Sequence, residues 1–114
     1  MPYIKSDDGR REVLRKGELA LTAGELNYQI FYYIKHNIKD YETDIIYHLV
    51  DQFLGEKPNY QRWNDMSGCL IRCYAEIKRR LNIEANELLE ILASYNATID
   101  AYEDVKITEN GDVE

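Results

Sequence analysis

Apolar residues recur at helical spacing over most of this chain. Leu26, Ile30, Phe31, Ile34 and Ile38 form one such series. Just before it stands Thr22-Ala23-Gly24-Glu25, a capping box in which the Thr hydroxyl takes the third helical amide and the Glu reaches back. Together they predict a helix running through Lys39. A second helix is expected to start at Asp40, on the stripe Ile45, Ile46, Leu49, Val50, Phe53 and Leu54, and to stop at Gly55 before Lys57-Pro58. The longest helix spans about Asn59 to Leu81. There Trp63, Leu70 and Ile77 recur every seven residues, as do Ser67, Tyr74 and Leu81, so all six share one narrow face. The opposite face carries Asn64, Gly68, Arg72, Glu76 and Arg80, with opposite charges four apart at Arg72–Glu76 and Glu76–Arg80. A last helix is expected from about Glu84 to Ala101, capped by Asn82, with Leu88, Leu92, Tyr95, Ile99 and Tyr102 as its buried stripe.

The ends differ in character. Residues 1–6 read as extended, because Pro2 lacks an N–H and Tyr3 and Ile4 suit a strand. Ser6 or Asp7 is a cap for a short first helix through Arg10, Val13, Leu14 and Arg15, which Gly17 ends. Val105-Lys106-Ile107-Thr108 alternates like a strand before the turn pair Asn110-Gly111. The expected class is therefore mainly α: a small bundle of about four longer helices with a short terminal β-pair. Residues 1–114 read as a single domain, with 84–114 as an acidic C-terminal segment.

Charge sharpens this picture. The net charge is −7. Residues 84–114 hold nine acids and one base, Lys106, which is −8, whereas residues 1–83 hold 13 bases and 12 acids. The imbalance belongs wholly to the C-terminal quarter. An overall acidic chain argues against a general nucleic-acid binder. The acidic segment reads first as a solvated surface that aids solubility, and alternatively as a mimic of nucleic-acid phosphates or a dock for a basic partner. The polar start has no apolar signal core, and no apolar run approaches the ~20 residues of a membrane span. No membrane association and a cytoplasmic setting are the expectations.

Chemistry-bearing patterns are sparse. Cys69 and Cys73 lie four apart on one helix, but His36 and His48 sit elsewhere without ligand spacing, so buried structural thiols are expected. No bound cofactor or metal is expected. Glu87/Glu90 and Asp100/Glu103 are carboxylate pairs at i,i+3, as used by Mg²⁺-dependent all-α nucleotide pyrophosphohydrolases. Here both pairs fall on one helix, which favours a solvated face over a metal site. No Ser-His-Asp order, Gly-x-Ser-x-Gly elbow or dinucleotide fingerprint is present.

The compositional oddity is tyrosine, ten of 114 residues. Core packing, a subunit interface and a ligand pocket all use its apolar body and polar tip. Tyr28 and Tyr32 share one helix side that Lys35 and Lys39 continue, a ring-plus-cation arrangement suited to a nucleobase and a phosphate. Bases cluster at Arg10-Arg11-Arg15-Lys16 and at Lys78-Arg79-Arg80, without phosphate-loop spacing. Solvated, partly ion-paired surfaces are the simplest account. The sharper one is anion capture between protomers, with Arg72 and Arg80 clamping a phosphate. Gly68 has no packing reason to stand mid-helix and suggests a close approach there, flanked by Asn64 and Arg72.

Several segments resemble an uncharacterised family of small proteins from bacteria and their phages. These are Met1-Pro2-Tyr3-Ile4-Lys5, Gly24-Glu25-Leu26-Asn27-Tyr28, Tyr60 with Asn64-Asp65 and Gly68, Glu76 with Arg79-Arg80, and the closing Tyr102-Glu103-Asp104-Val105-Lys106-Ile107 with Glu109-Asn110-Gly111-Asp112-Val113. Relative to that pattern the chain carries extra residues around 30–44 and 82–101. The resemblance implies a compact domain and a phage or prophage connection, but no reaction.

The functional expectation is a non-enzymatic binding protein. It self-associates through Tyr-rich helix faces as a homo-oligomer, a dimer in the simplest case, and takes a small nucleotide-like ligand or a host protein. Its candidate binding residues are Tyr28, Tyr32, Asn64, Gly68, Arg72 and Arg80. A Mg²⁺-dependent nucleotide hydrolase and an acidic nucleic-acid mimic are the alternatives.

Overall fold

A computed structural model describes residue 4 and residues 9–111. The extended reading of residues 1–6 and the Ser6/Asp7 cap otherwise fall outside that range. Five helices follow one another: α1 (Gly9–Arg15), α2 (Ala23–Lys35), α3 (Thr43–Leu54), α4 (Tyr60–Leu81) and α5 (Glu87–Asn110). The class is mainly α. The core runs the length of α4, where Met66, Leu70, Cys73 and Ile77 meet Leu26, Ile30 and Ile34 of α2, Ile46 and Val50 of α3, and Leu88 and Ile91 of α5. Leu14 of α1 and Ala20 of the following loop close one side. Each fully buried aliphatic side chain contributes about 1.5–3 kcal/mol of transfer free energy.

Local signals place most helix ends. Thr22 is the N-cap of α2 and its hydroxyl accepts from the Glu25 amide at 3.2 Å, while Glu25 accepts from the Leu21 amide rather than from that of Thr22. Asn59 caps α4 through the Arg62 amide at 2.9 Å. Gly17 and Gly55 take positive φ just past α1 and α3, which a residue with a Cβ resists.

Four boundaries depart from expectation. First, α2 ends at Lys35, not Lys39: the Asn37 side chain donates to the Tyr33 carbonyl at 2.8 Å and turns the chain, as short amide side chains do when they compete with the helix ladder. Second, α3 therefore starts at Thr43 rather than Asp40, with the Glu42 amide donating to the Tyr33 hydroxyl.

Third, Asn82 is not the cap of the last helix. It ends α4 in the left-handed region, φ 56°, a conformation Asn tolerates better than most residues. Fourth, Val105–Thr108 is not a strand. Those residues continue α5, held by local bonds: Thr108 Oγ1 to the Asp104 carbonyl, Asn110 Nδ2 to the Lys106 carbonyl, and Lys106 over the Tyr102 ring. Alternation stabilises a strand only where a partner edge accepts it, and no strand occurs among the described residues.

The molecule is elongated. Its extents are 45 × 29 × 24 Å and its radius of gyration is 15.1 Å. A compact chain of this size would have about 13 Å. Past Tyr102 every described residue of α5 is exposed.

Tyrosine hydroxyls bolt α5 to the rest. Tyr47 of α3 donates to Ser94 at 2.7 Å, Tyr95 donates to Asp51 of α3, and Tyr41 donates to Glu87 at 2.8 Å. Burial and the Glu87 carboxylate push the Tyr41 hydroxyl up to about 12. Tyr74 similarly reaches Glu84 at 3.0 Å. Much of the tyrosine excess is thus structural: a ring packs on the core edge while its hydroxyl finds a partner on another element.

Candidate functional site

The two basic clusters, far apart in sequence, meet over α2. Arg11 and Arg15 come from α1, Lys35 from the end of α2 and Arg80 from the end of α4. Together they line a cleft of about 240 Å³ whose floor includes Tyr28, Phe31 and Tyr32. The arginines are not loose. Arg15 lies over the Tyr32 ring at 5.0 Å and donates to the Tyr28 hydroxyl at 2.7 Å. Arg11 lies over the Tyr28 ring at 5.3 Å and donates to the Ile4 carbonyl at 2.8 Å. Arg80 lies over the Phe31 ring at 4.6 Å. Cation–π seating fixes guanidinium heads while leaving their N–H edges for an acceptor. Tyr28, Tyr32 and His36 follow one another along α2, with ring centroids 6.0 and 4.3 Å apart.

Among the described residues one carboxylate borders the cleft, and it is already engaged. Glu76 is 3% exposed, and its two oxygens accept from Arg72 at 2.6 Å and Arg79 at 2.7 Å. The Arg79 hydrogen bond, opposed by desolvation and reinforced by the charges of Arg79, Arg72 and Arg80, holds this carboxyl below the ordinary range. Glu76 therefore departs from the solvated stripe that its spacing suggested, and its second partner is Arg79, not Arg80. The reason is that α4 packs on α2 over a wide arc that includes Met66, Cys69 and Cys73, and this arc draws Glu76 inward. Among the described residues Arg11, Arg15, Lys35 and Arg80 form no ion pair. The cleft thus presents a local excess of positive charge on a chain of net charge −7.

A second depression of about 230 Å³ adjoins the first. It is lined by Asn64, Asp65, Gly68, Cys69 and Arg72 of α4 and by Ala23, Gly24 and Asn27 of α2. Gly24 and Asn27 line both. Asn27 is 4% exposed, and among the described residues no hydrogen bond holds its side-chain amide. A Cβ placed on Gly68 would meet nothing within 4 Å, so no neighbour inside the chain requires glycine there.

The six candidate residues thus fall into two adjoining groups: Tyr28, Tyr32 and Arg80 in the cleft, and Asn64, Gly68 and Arg72 in the depression. Arg72 and Arg80 do not share one site, since Arg72 is tied to Glu76. Lys39 lies beyond the end of α2 and is not in the cleft. Arg11, Arg15, Phe31, His36 and Asn27 escaped the sequence reading as a set. The four-residue spacing of Arg11 and Arg15 was legible, but not the helix they face.

The other candidates stay apart. Cys69 and Cys73 are buried, and burial pushes the Cys69 thiol up to about 12 and Cys73 well above the ordinary thiol range, which suits packing and not nucleophilic attack. Glu87 takes the Tyr41 hydroxyl, while Glu90, Asp100 and Glu103 lie exposed along α5 with no facing carboxylate helix. Among the described residues no group of three or more His, Cys, Asp or Glu is placed to hold a metal ion. Likewise, no helix among them is long and apolar enough to cross a membrane.

Fold and site together define a small, mainly α-helical protein with a cationic, aromatic-floored cleft. The chain belongs to the family of the domain of unknown function DUF6899, which matches residues 1–113. No curated protein and no solved structure matches it.

Proposed function

We propose that this is a cytoplasmic, non-enzymatic binding protein whose cleft between α1, α2 and α4 takes a small anionic ligand bearing an aromatic ring, a nucleotide in the simplest case. The observation that supports this most directly is the convergence of Arg11, Arg15, Lys35 and Arg80 over Tyr28, Phe31 and Tyr32. Phosphate oxygens meet guanidinium edges already held in place, which lowers the ordering cost of binding. The ligand's ring lies against the tyrosine and histidine edges, and the side-chain amide of Asn27 supplies a polar contact at the boundary with the second depression. A cleft of about 240 Å³ lies just below the usual range for small-molecule sites, which suits part of a nucleotide, the remainder staying in solvent.

The test is titration calorimetry with ATP, AMP, adenosine and inorganic triphosphate. The expected order places the charged nucleotides above both adenosine and triphosphate. Arg15→Ala or Arg80→Ala should each weaken nucleotide binding by about 10- to 100-fold, the value of one charge-assisted hydrogen bond. Equal affinity in wild type and both variants refutes the cleft. Mg²⁺-dependent breakdown of the triphosphate that Glu87→Gln abolishes would replace the binding reading with a hydrolase.

A further inference from the structure

The chain carries its own complement to this cleft, at the other end of the molecule. Asp100, Glu103, Asp104 and Ile107 fall within an arc of about 100° on one side of α5. All four are exposed, Ile107 by 42%. This part of the helix has poor intrinsic support. Val105, Ile107 and Thr108 are β-branched, Asp104 and Asn110 are weak helix formers, and past Tyr102 no described residue is buried. It is stiffened only by its continuity with the packed half and by local bonds.

Distance excludes the chain's own cleft as its dock. The acidic end lies beside Tyr60 and Trp63, at the start of α4, where Tyr102 and Glu103 line a small pocket with them. The cationic cleft lies beside Glu76 and Arg80, at the end of α4. Seventeen residues of helix from Trp63 to Arg80 separate the two by roughly 25 Å.

We infer that the acidic end of α5 from a second copy of this chain docks in the cationic cleft, so that two copies pair antiparallel and each fills the other's cleft. Three carboxylates on one arc meet the four cations Arg11, Arg15, Lys35 and Arg80, and Ile107 meets the aromatic floor. With tail and cleft at opposite ends, a two-fold axis satisfies both contacts at once and closes the assembly. This inference identifies the occupant of the Tyr28/Tyr32 face in self-association. It uses the same cleft as the nucleotide reading but does not require it, and nucleotide and tail exclude one another.

Sedimentation velocity on the full chain at ~100 μM tests it, an affinity range that detects even a weak specific dimer. The expected result is a dimer at about 50 mM salt that dissociates at about 500 mM, where screening shortens the reach of exposed charges. Glu103→Lys/Asp104→Lys should be monomeric with an unchanged circular dichroism spectrum, as should Arg11→Glu/Arg15→Glu. Mixing the two charge-reversed proteins should restore a dimer, because the native tail then meets the native cleft and the lysine-bearing tail meets the two introduced glutamates. A monomeric wild type at low salt, a dimer that survives the tail substitutions, or a mixture that stays monomeric each overturns the pairing. The two readings separate cleanly. A monomeric wild type that binds ATP refutes the pairing alone. A salt-sensitive dimer whose monomeric Glu103→Lys/Asp104→Lys variant binds no nucleotide refutes the ligand alone. The Glu103→Lys/Asp104→Lys protein keeps its cleft and loses the competing tail, so it should bind ATP as tightly as monomeric wild type and more tightly than dimeric wild type.

Discussion

Gly68→Ala isolates what a glycine in the middle of α4 contributes. The residue sits in the interior of a 22-residue helix, with no positive φ, and a Cβ there meets nothing within 4 Å. The substitution adds no clash and removes the backbone freedom that glycine keeps in the unfolded chain. It should therefore stabilise the fold by about 0.5–1 kcal/mol. With a urea slope of about 1.5 kcal/mol/M for a domain of this size, the unfolding midpoint should rise by roughly 0.3–0.7 M with the slope unchanged. Urea titration followed by far-ultraviolet circular dichroism measures both quantities. A fall in midpoint refutes the reasoning, because it would mean that the open space beside Gly68 is filled in solution by something a methyl group displaces. The same variant addresses the depression between Asn64 and Arg72. If ligand or partner enters it, Gly68→Ala and Arg72→Ala both weaken nucleotide binding or association while helicity persists. Unchanged binding and association in both leave the depression as plain surface.

Two further outcomes follow from single side chains. Asn82→Ala should destabilise by roughly 1–2 kcal/mol in thermal unfolding while Asn82→Gly stays near wild type, since the left-handed turn at φ 56° penalises a Cβ without a compensating polar side chain. The Arg10 hydrogen bond to Glu25, with the Leu21 amide, holds that carboxyl below its ordinary value. A depressed carboxylate contributes stability that is present above its unfolded pKa and lost as pH falls through its folded one. Thus Glu25→Gln should lower stability at neutral pH and flatten the loss of stability below about pH 4.5 in acid titrations.

What the sequence determined by itself is whatever a few adjacent residues decide. Thr22 and Asn59 start helices because a side-chain oxygen reaches an amide three positions on, and Gly17 and Gly55 stop them because a positive φ suits glycine. The stripes of α3 and α4 name the centre of each buried face, because helical period sets which side chains share a face, but Ile45 stays exposed and Met66, Cys69, Cys73 and Glu76 are buried outside the α4 stripe. Local reasoning failed where a segment's neighbours were not its own. Val105–Thr108 alternates like a strand, but it follows a long helix and finds no edge to join, so the ladder simply continues. Asn82 reads equally as the start of one helix or the end of another, and only the direction of the chain after Leu81 settles it. Tyr28, Tyr32 and Arg80 were legible as individual candidates. Their meeting was not, because Arg11, Arg15, Lys35 and Arg80 come from three helices up to 69 positions apart. Tertiary packing alone gathered those charges into one cleft, tied Glu76 to Arg72 and Arg79, and set the acidic stretch of α5 beside the opposite end of α4. Charge has no periodicity to reveal such a pairing, since Coulomb attraction depends on distance in space and not on separation along the chain.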